Sequence, residues 1–371
     1  MRLITSLLAL ALVGCAGGGR QVAQPSAAPA PVVVLRDEVL WKTQDAYLQG
    51  EARKGFSGVV LISAPGQAPV VRAYSTNPRI TPDTRFWIGS LVKPMTAAVI
   101  YRLKEQGRLK LDDRLDRFFP DAPADKRGIT LAQLLSHSAG MPDLYAANGE
   151  PDRRRAARAL LAAPLIHAPG TAAVYSNDGY MLLGLMAEVA SGRSFESILR
   201  DLVLKPAGMT ETRFWPAGLG TDAMAPVAEL PAESLRRPNW GYRSSGGMSS
   251  TARDLEKFAR AMLSGRILSP AGVRDAMAPH IRRAEARDVG YGWFSEAYGG
   301  GRLISHSGAE SGLQHFAWLY IFEPSQTVVV VLSNSPEDRS AETVDGIVAR
   351  VAAEQRYGLK HAAPPTAGGG R

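Results

Sequence analysis

The stretch RFWIGSLVKPMTAAVI, residues 85–100, places a serine three residues ahead of a lysine, where a strand-like run gives way to a helix-like run. A helix brings side chains at i and i+3 onto one face, so Ser90 and Lys93 can meet there. A serine hydroxyl needs a neighbouring base to act as a nucleophile near neutral pH. The stretch therefore predicts either a nucleophile with its proton acceptor or an ordinary helix start with an N-cap serine. Pro94 disfavours helical geometry at Lys93.

The segments around this stretch predict an α+β fold. Helical spacing of apolar residues predicts a first helix within residues 37–55 and a last one within residues 340–358. Runs typical of strands, bounded by Gly or Pro, are FSGVVLIS, PVVRAYST, VGYGWFSEAY, GGGRLISHSG, LQHFAWLYIFEP and QTVVVVLSNS. Because these runs lie near both chain ends, we expect one antiparallel sheet built from both ends and covered by the terminal helices. A mostly helical region is inserted between its first and last strands.

The N-terminus has the layout of a secretory signal, with Arg2, an apolar run and a small residue before Cys15. The apolar run is too short to span a membrane. Leu12-Val13-Gly14-Cys15 resembles the bacterial lipoprotein box, in which the signal is cut before a cysteine that carries lipid. The alternative is a plain signal or a cysteine that stands there by chance. Cys15 is the only cysteine, which excludes a disulfide within the chain.

Composition divides the chain into a folded part and two unstructured ends. The residues after Cys15 are rich in Gly, Ala and Pro, which is typical of a flexible tether. We predict a bacterial lipoprotein held at a membrane by its N-terminal lipid and facing the periplasm or the cell exterior. The predicted parts are a signal peptide (1–14), a lipid-anchored tether (15–36), a folded domain (37–358, with sheet regions 37–99 and 231–358 and a helical region 100–230) and a disordered tail (359–371).

Charge and motif content exclude several classes of function. The 371-residue chain has a formal charge of +8, carried mostly by scattered arginines. This pattern suits anionic envelope polymers or lipids, and no nucleic-acid partner is expected. The histidines show no metal-ligand spacing, and we find no HExxH motif, G-x-S-x-G elbow, dinucleotide fingerprint or P-loop. We therefore expect no metal and no cofactor.

Two further motifs accompany Ser-x-x-Lys. Tyr175-Ser176-Asn177 lies within APGTAAVYSNDGYMLLG, and His306-Ser307-Gly308 lies on a predicted strand. In this order the three motifs resemble those of the serine β-lactamase-like hydrolases, which share a fold with penicillin-binding DD-peptidases. The branch of class C lactamases and family VIII esterases is the most similar. Connecting segments such as EQGRLKLDDRLDRFFPD and ITLAQLLSHSAGMPD extend the resemblance from about residue 40 to residue 340.

The second motif supplies a phenol and an amide. A phenol with a pKa of about 10 is too weakly acidic to act as a base near neutrality, but an ammonium such as Lys93 would favour the phenolate. Tyr175 and Lys93 then act as one proton-handling unit, and which of them holds the proton at each step stays open. A core tyrosine with a hydrogen-bonded hydroxyl is the alternative. Asn177 can orient Lys93 and donate to a substrate carbonyl, or it can form an Asx turn.

The third motif is expected to bind substrate along a strand. Gly308 lets a substrate backbone approach the strand edge beside Ser307. The resemblance implies that the N–H groups of Ala309 and Ser90 form the oxyanion hole, which stabilises charge on the attacked carbonyl oxygen. His306 takes the place of the lactamase lysine. A neutral imidazole attracts a substrate carboxylate less than an ammonium does, so we expect weak β-lactamase activity.

These observations predict an envelope-associated serine hydrolase that forms an acyl-enzyme on Ser90. Its substrate would be an ester, amide or peptide, small or derived from peptidoglycan, and its activity that of an esterase or D-alanyl peptidase. The alternative is an inactive penicillin-binding-like protein that binds peptidoglycan or a partner. Retention of all three motifs argues against it, because Lys93 and Tyr175 would then carry only a desolvation cost. His137, in a loop-forming stretch, is expected to have a structural role.

Overall fold

The structure is a computed structural model that describes residues 37–214, 224–227, 237–282, 287–298 and 301–361. The predicted signal peptide, the tether and the lipidated Cys15 lie outside the described residues, as do residues 362–371 of the predicted tail. Within the described ranges, no helix is both long enough and apolar enough to cross a bilayer.

One antiparallel sheet of eight strands organises the described chain, in the order β2-β1-β11-β10-β9-β8-β7-β6. The predicted sheet from both chain ends is confirmed, because the first strand pairs directly with the last, with Gly58 opposite Ser333. A second sheet has three short strands in the order β3-β5-β4. The strands are β1 (Gly58–Ser63), β2 (Val70–Tyr74), β3 (Phe86–Trp87), β4 (Arg213–Phe214), β5 (Met248–Ser250), β6 (Ile281–Arg282), β7 (Asp288–Val289), β8 (Phe294–Tyr298), β9 (Gly301–Glu310), β10 (His315–Phe322) and β11 (Thr327–Ser333).

Helices cover both faces of the large sheet. The helices are α1 (Asp37–Arg53), α2 (Val92–Glu105), α3 (Leu115–Phe118), α4 (Leu131–Leu135), α5 (Arg153–Ala162), α6 (Asn177–Ser191), α7 (Phe195–Leu199), α8 (Lys205–Ala207), α9 (Ala252–Leu263), α10 (Pro270–Met277) and α11 (Glu337–His361). A π-helical segment, Arg200–Leu204, joins α7 to α8. The terminal helices α1 and α11 bury Trp41 and Ile347 against Val60 and Val331 of one face. The opposite face packs on a larger core that includes α2, α6 and α9.

The structure differs from the predicted domain plan at one boundary and in the content of one region. The helix α11 continues to His361, so residues 359–361 of the predicted disordered tail are helical. Leu and Lys at these positions are good helix formers, and the first proline comes only at Pro364. The predicted sheet region 231–358 also contains the helices α9 and α10. Both begin at a serine or threonine N-cap that satisfies a backbone N–H.

Candidate active site

Ser90 lies in a short 3₁₀ helix, Gly89–Leu91, which links β3 to the first turn of α2. Gly89 has a φ of 47°, in the left-handed region that favours glycine. The turn therefore projects Ser90 at the N-terminal end of a buried helix. Pro94 occupies the first turn of α2, where a missing N–H breaks no helical hydrogen bond, so Lys93 stays helical.

The Lys93 amine is buried and held by three oxygen atoms. Its Nζ lies 2.9 Å from Ser90 Oγ, 2.6 Å from Asn177 Oδ1 and 2.8 Å from the carbonyl oxygen of Ser245. Burial lowers the pKa of Lys93 well below its usual value, while the Asp143 carboxylate acts in the opposite direction. The Ser245 carbonyl was not predicted from the sequence, because a backbone acceptor leaves no signature in residue types.

Tyr175 approaches the same hydroxyl from the other side. Its phenol donates to Ser90 Oγ over 2.7 Å, and the Lys93 Nζ lies 4.8 Å from the centre of its ring. The structure thus brings Ser90, Lys93 and Tyr175 together, although 85 positions separate the serine from the tyrosine.

His137 supports the segment that carries Tyr175. Its ring stacks on the Tyr175 ring with centroids 4.5 Å apart, and its Nδ1 accepts from the Ser176 N–H over 3.1 Å. Its carbonyl accepts from the Val174 N–H. With a φ of 57°, His137 bends the chain to make these contacts at once. This geometry agrees with the structural role that we expected for it.

Asn177 is the first residue of α6, and its amide orientation is determined by neighbours. The N-cap is Ser176, whose hydroxyl accepts from the Gly179 N–H, so the Asx turn considered for Asn177 does not form. Asp143 Oδ1 accepts from both the backbone N–H and the Nδ2 of Asn177, at 2.9 and 3.0 Å. Tyr145 accepts from the same Nδ2 at 2.9 Å. Since Nδ2 makes both of these contacts, Oδ1 is left to face Lys93.

Asp143 and Tyr145 are site residues that the sequence interpretation missed. Both belong to the stretch MPDLY, whose turn-like composition gives no indication of a partner more than 30 positions away. Asp178 anchors this loop, because its buried carboxylate accepts from the Ala146 N–H over 3.3 Å. Burial raises the pKa of Asp178 to about 6.

The strand β9 packs against the Ser90 turn at backbone distance. A Cβ added to Gly308 would lie 1.9 Å from the carbonyl oxygen of Ile88 and 2.7 Å from Ser90 N. A Cβ added to Gly89 would lie 2.8 Å from Ala309 N. The backbone nitrogens of Ser90 and Ala309 therefore belong to two segments in direct contact, as an oxyanion hole requires.

The outer edge of β9 extends beyond its neighbour on the side of the site. The neighbouring β8 pairs with β9 only from Gly301 to Ser305, so residues 306–310 continue past the end of β8. An edge of this kind can accept an extended substrate backbone. Ser307 is exposed here and Gly308 is buried, as the alternation of a strand requires.

His306 is buried beside Lys93 and is neutral. Its Nδ1 lies 2.6 Å from the Ser307 carbonyl oxygen, so Nδ1 carries the proton and Nε2 presents a lone pair. That Nε2 is buried and has no hydrogen-bond partner among the described residues. Burial, reinforced by the charge of Lys93, lowers the pKa of His306 to about 3.

These groups surround a cavity of about 510 Å³. Its lining includes all the predicted catalytic and substrate-binding residues except Lys93, which lies buried next to Ser90. Within the parts of the chain that the structure describes, no cluster of three or more His, Cys, Asp or Glu side chains could hold a metal ion. The lining residues are Ser90, Tyr145, Tyr175, Asn177, Arg287, Phe294, Ser305, His306, Ser307, Gly308, Ala309, Trp318, Tyr320, Ala341, Val344 and Asp345.

The sequence and the fold of this chain are similar to those of known proteins. The family model described as Beta-lactamase matches residues 43–354. Penicillin-binding protein 4* of Bacillus subtilis is 30% identical over 288 residues, which cover 70% of this chain and 63% of that protein. Penicillin-binding protein 4 of Amycolatopsis lactamdurans is 29% identical over 286 residues, which cover 70% of this chain and 74% of that one. The D-amino acid amidase of Ochrobactrum anthropi SV3, solved with D-phenylalanine, superposes with a TM-score of 0.71 at 22% identity, covering 84% of this chain and 99% of that one.

Proposed function

Since the chain belongs to the beta-lactamase family, whose members are serine hydrolases, we propose that it hydrolyses an amide, peptide or ester through an acyl-enzyme on Ser90. The observation that supports this most directly is the position of one hydroxyl oxygen. Ser90 Oγ lies 2.9 Å from an amine and 2.7 Å from a phenol, both within the reach needed for proton transfer.

The contacts of Lys93 suit a neutral amine that accepts the serine proton. A neutral amine has two N–H donors and one lone pair. The oxygens of Asn177 and Ser245 are acceptors only, so they take both donors and leave the lone pair for the Ser90 hydroxyl. The low pKa that burial imposes on Lys93 favours this neutral form.

The reaction then proceeds in two halves. Ser90 Oγ attacks the substrate carbonyl carbon while its proton passes to the Lys93–Tyr175 pair, and the N–H groups of Ser90 and Ala309 stabilise the oxyanion. The bond to the leaving group breaks, and the leaving nitrogen or oxygen receives a proton from the same pair. Water attacks the carbonyl carbon of the ester and gives a proton to the pair. The bond between that carbon and Ser90 Oγ then breaks, Oγ takes the proton back from the pair, and the acid is released.

The neutral His306 is the basis for the proposed substrate range. It offers a lone pair where a lactamase lysine would offer a permanent charge, so a substrate carboxylate gains little at this position. The chain spans 63% of the length of the Bacillus relative, so that relative's activity is not transferred as a whole. Amide hydrolysis is nevertheless favoured by the structural similarity to an amidase. We therefore propose amides and esters as the preferred substrates, with only weak turnover of β-lactams.

The location of the protein is a separate part of the proposal. The lipoprotein-like segment around Cys15 supports export and attachment to an envelope membrane. Radiolabelled palmitate should label the full chain in a bacterial host, and Cys15→Ala should abolish the label. Labelling that persists in the variant would contradict the anchor.

A fluorophosphonate probe tests the central step. We expect stoichiometric labelling of the full chain, with the adduct on the peptide that contains Ser90 by mass spectrometry. Ser90→Ala should abolish the label, while Ser264→Ala, which changes an exposed serine directly after α9, should retain it. Absence of labelling in a folded native protein would favour the inactive, binding-protein alternative.

A further inference from the structure

We propose that Glu310, Tyr145 and Tyr242 form a subsite for an ammonium group of the substrate, so that the enzyme prefers acyl donors with a free amine. This inference rests on the proposed function and specifies its substrate class.

Strand alternation places Glu310 on the side of the nucleophile. In β9, His306, Gly308 and Glu310 point to one face, and the added-Cβ contacts of Gly308 show that this face meets the Ser90 turn. Glu310 also directly follows Ala309, the proposed oxyanion donor. Glu310 is therefore the last residue of the strand along which a substrate would bind, one position beyond the part of that strand that lines the cavity.

The carboxylate is half-buried and lacks a cationic partner in the described chain. It accepts a hydrogen bond from the backbone N–H of Gly312, and no described Lys, Arg or His lies within ion-pair distance of it. Burial raises the pKa of Glu310. A buried carboxylate without a counter-ion is unfavourable, and a bound cation would relieve that cost.

Two aromatic rings complete the arrangement. Tyr145 and Tyr242 have ring centroids 5.2 Å apart at an angle of 38°, and the Tyr145 ring lines the cavity of Ser90. Tyr242 packs against the buried Trp87 and Leu313, on the segment that follows Glu310. Aromatic faces attract cations, most strongly where water is excluded.

The electrostatic field around the rings has the sign that a cation requires. Burial and then the Glu310 charge raise the pKa of Tyr242 to about 12, and burial together with Tyr242, Asp143 and Glu310 raises that of Tyr145. Both phenols are therefore neutral near pH 7, with two carboxylates nearby. Arg287 and Asp345 are charged residues of the cavity lining, and both affect the pKa of Tyr320. Strand alternation places Tyr320 on the opposite face of the sheet from Glu310.

The two titratable nitrogen groups beside Ser90, those of His306 and Lys93, have pKa values lowered by burial. The pKa of His306 is about 3, so its imidazole is uncharged near pH 7, and burial lowers the pKa of Lys93, which favours the neutral form of that amine. An amine-bearing substrate thus meets carboxylates without a competing fixed charge on the same side of the strand. A substrate carboxylate would meet repulsion there.

Protection against fluorophosphonate labelling tests the subsite without requiring turnover. The rate of Ser90 labelling is measured in the full chain with increasing phenylalanine amide, as each enantiomer, or with its N-acetyl analogue, which has no charge. We expect the cationic amide to halve the labelling rate at about a tenfold lower concentration than the neutral one, equivalent to about 1.4 kcal/mol. Glu310→Gln should remove this difference, and Tyr242→Leu should reduce it.

Glu323→Gln is the matched control, because it also replaces a glutamate by glutamine. Glu323 directly follows β10 and forms an ion pair with Arg302, whereas Glu310 lies before the start of β10. This variant should keep the tenfold preference. Equal protection by the two compounds, no protection by either, or a preference that survives Glu310→Gln would overturn the inference while Ser90 still reacts. Failure of Ser90 to react in the folded native protein would instead overturn the proposed function.

Discussion

Replacement of Gly308 by alanine should disable the site without unfolding the protein. The added Cβ would lie 1.9 Å from the Ile88 carbonyl oxygen, about 1.5 Å closer than an ordinary contact of 3.4 Å. Both neighbours are backbone, so no side chain can rotate away. Either β9 or the Ser90 turn must move by roughly that amount, which separates the two proposed oxyanion donors.

The size of the effect follows from this displacement. Misplacement of catalytic groups by about 1 Å, or loss of one oxyanion donor, lowers kcat by about a hundredfold or more. Overpacking of a tight contact destabilises a protein by about 1–3 kcal/mol, which a domain of this size tolerates. We therefore expect kcat/KM for a p-nitrophenyl ester to fall at least a hundredfold, with a cooperative unfolding transition retained.

Gly246→Ala provides the matched control. Gly246 faces the same turn, but its added Cβ would lie 3.6 Å from the nearest atom, a carbon of Gly89. Activity within about threefold of native is expected for it. Native kinetics in Gly308→Ala, or an equal loss in both variants, would refute the argument that close approach of β9 builds the oxyanion site.

Three further predictions concern the groups around Ser90. For a neutral ester, the rising limb of kcat/KM against pH should lie well below pH 10.5, because burial depresses the pKa of Lys93; a limb near pH 10.5 would contradict it. Asp143→Ala should lower kcat by about tenfold or more with little change in KM, because Asn177 loses the acceptor for two N–H groups, and Asp143→Asn should recover part of the loss. His137→Asn should retain more activity than His137→Leu, measured as the labelling rate of Ser90, because asparagine keeps an acceptor and tolerates positive φ; equal rates would show that neither property matters.

Much of the fold was predictable because its strands carry strong local signals. The segments that form β1, β10 and β11 are apolar runs with turn residues at both ends, and the structure places strands within each. The strands β4, β5 and β6 were not predicted. With two or three residues each, they have no period to detect and depend on tertiary pairing.

The site was predictable only where its chemistry depends on residue type. Ser90, Lys93 and Tyr175 are recognisable because nucleophile and proton carriers need particular side chains in a known order. The roles of the Ser245 carbonyl and of the contact between Gly308 and Ile88 could not be recognised from the sequence. Both involve backbone atoms, which every residue has. Asp143 escaped notice because its importance lies in a contact with Asn177 formed only in the folded chain.

Activation of the nucleophile and selection of the substrate charge are separable in this site. Burial lowers the pKa of Lys93, and the charge of Asp143 acts in the opposite direction. A cation at position 306 is not among the causes of the low pKa. In the resting site His306 is neutral, so it can be exchanged without removing what activates Ser90. A lysine at this position would add a charge that attracts substrate carboxylates and, as a like charge near Lys93, would lower the pKa of Lys93 further. The present arrangement lowers the pKa of the amine beside Ser90 through burial and leaves Glu310 to set the sign of the charge that the substrate carries.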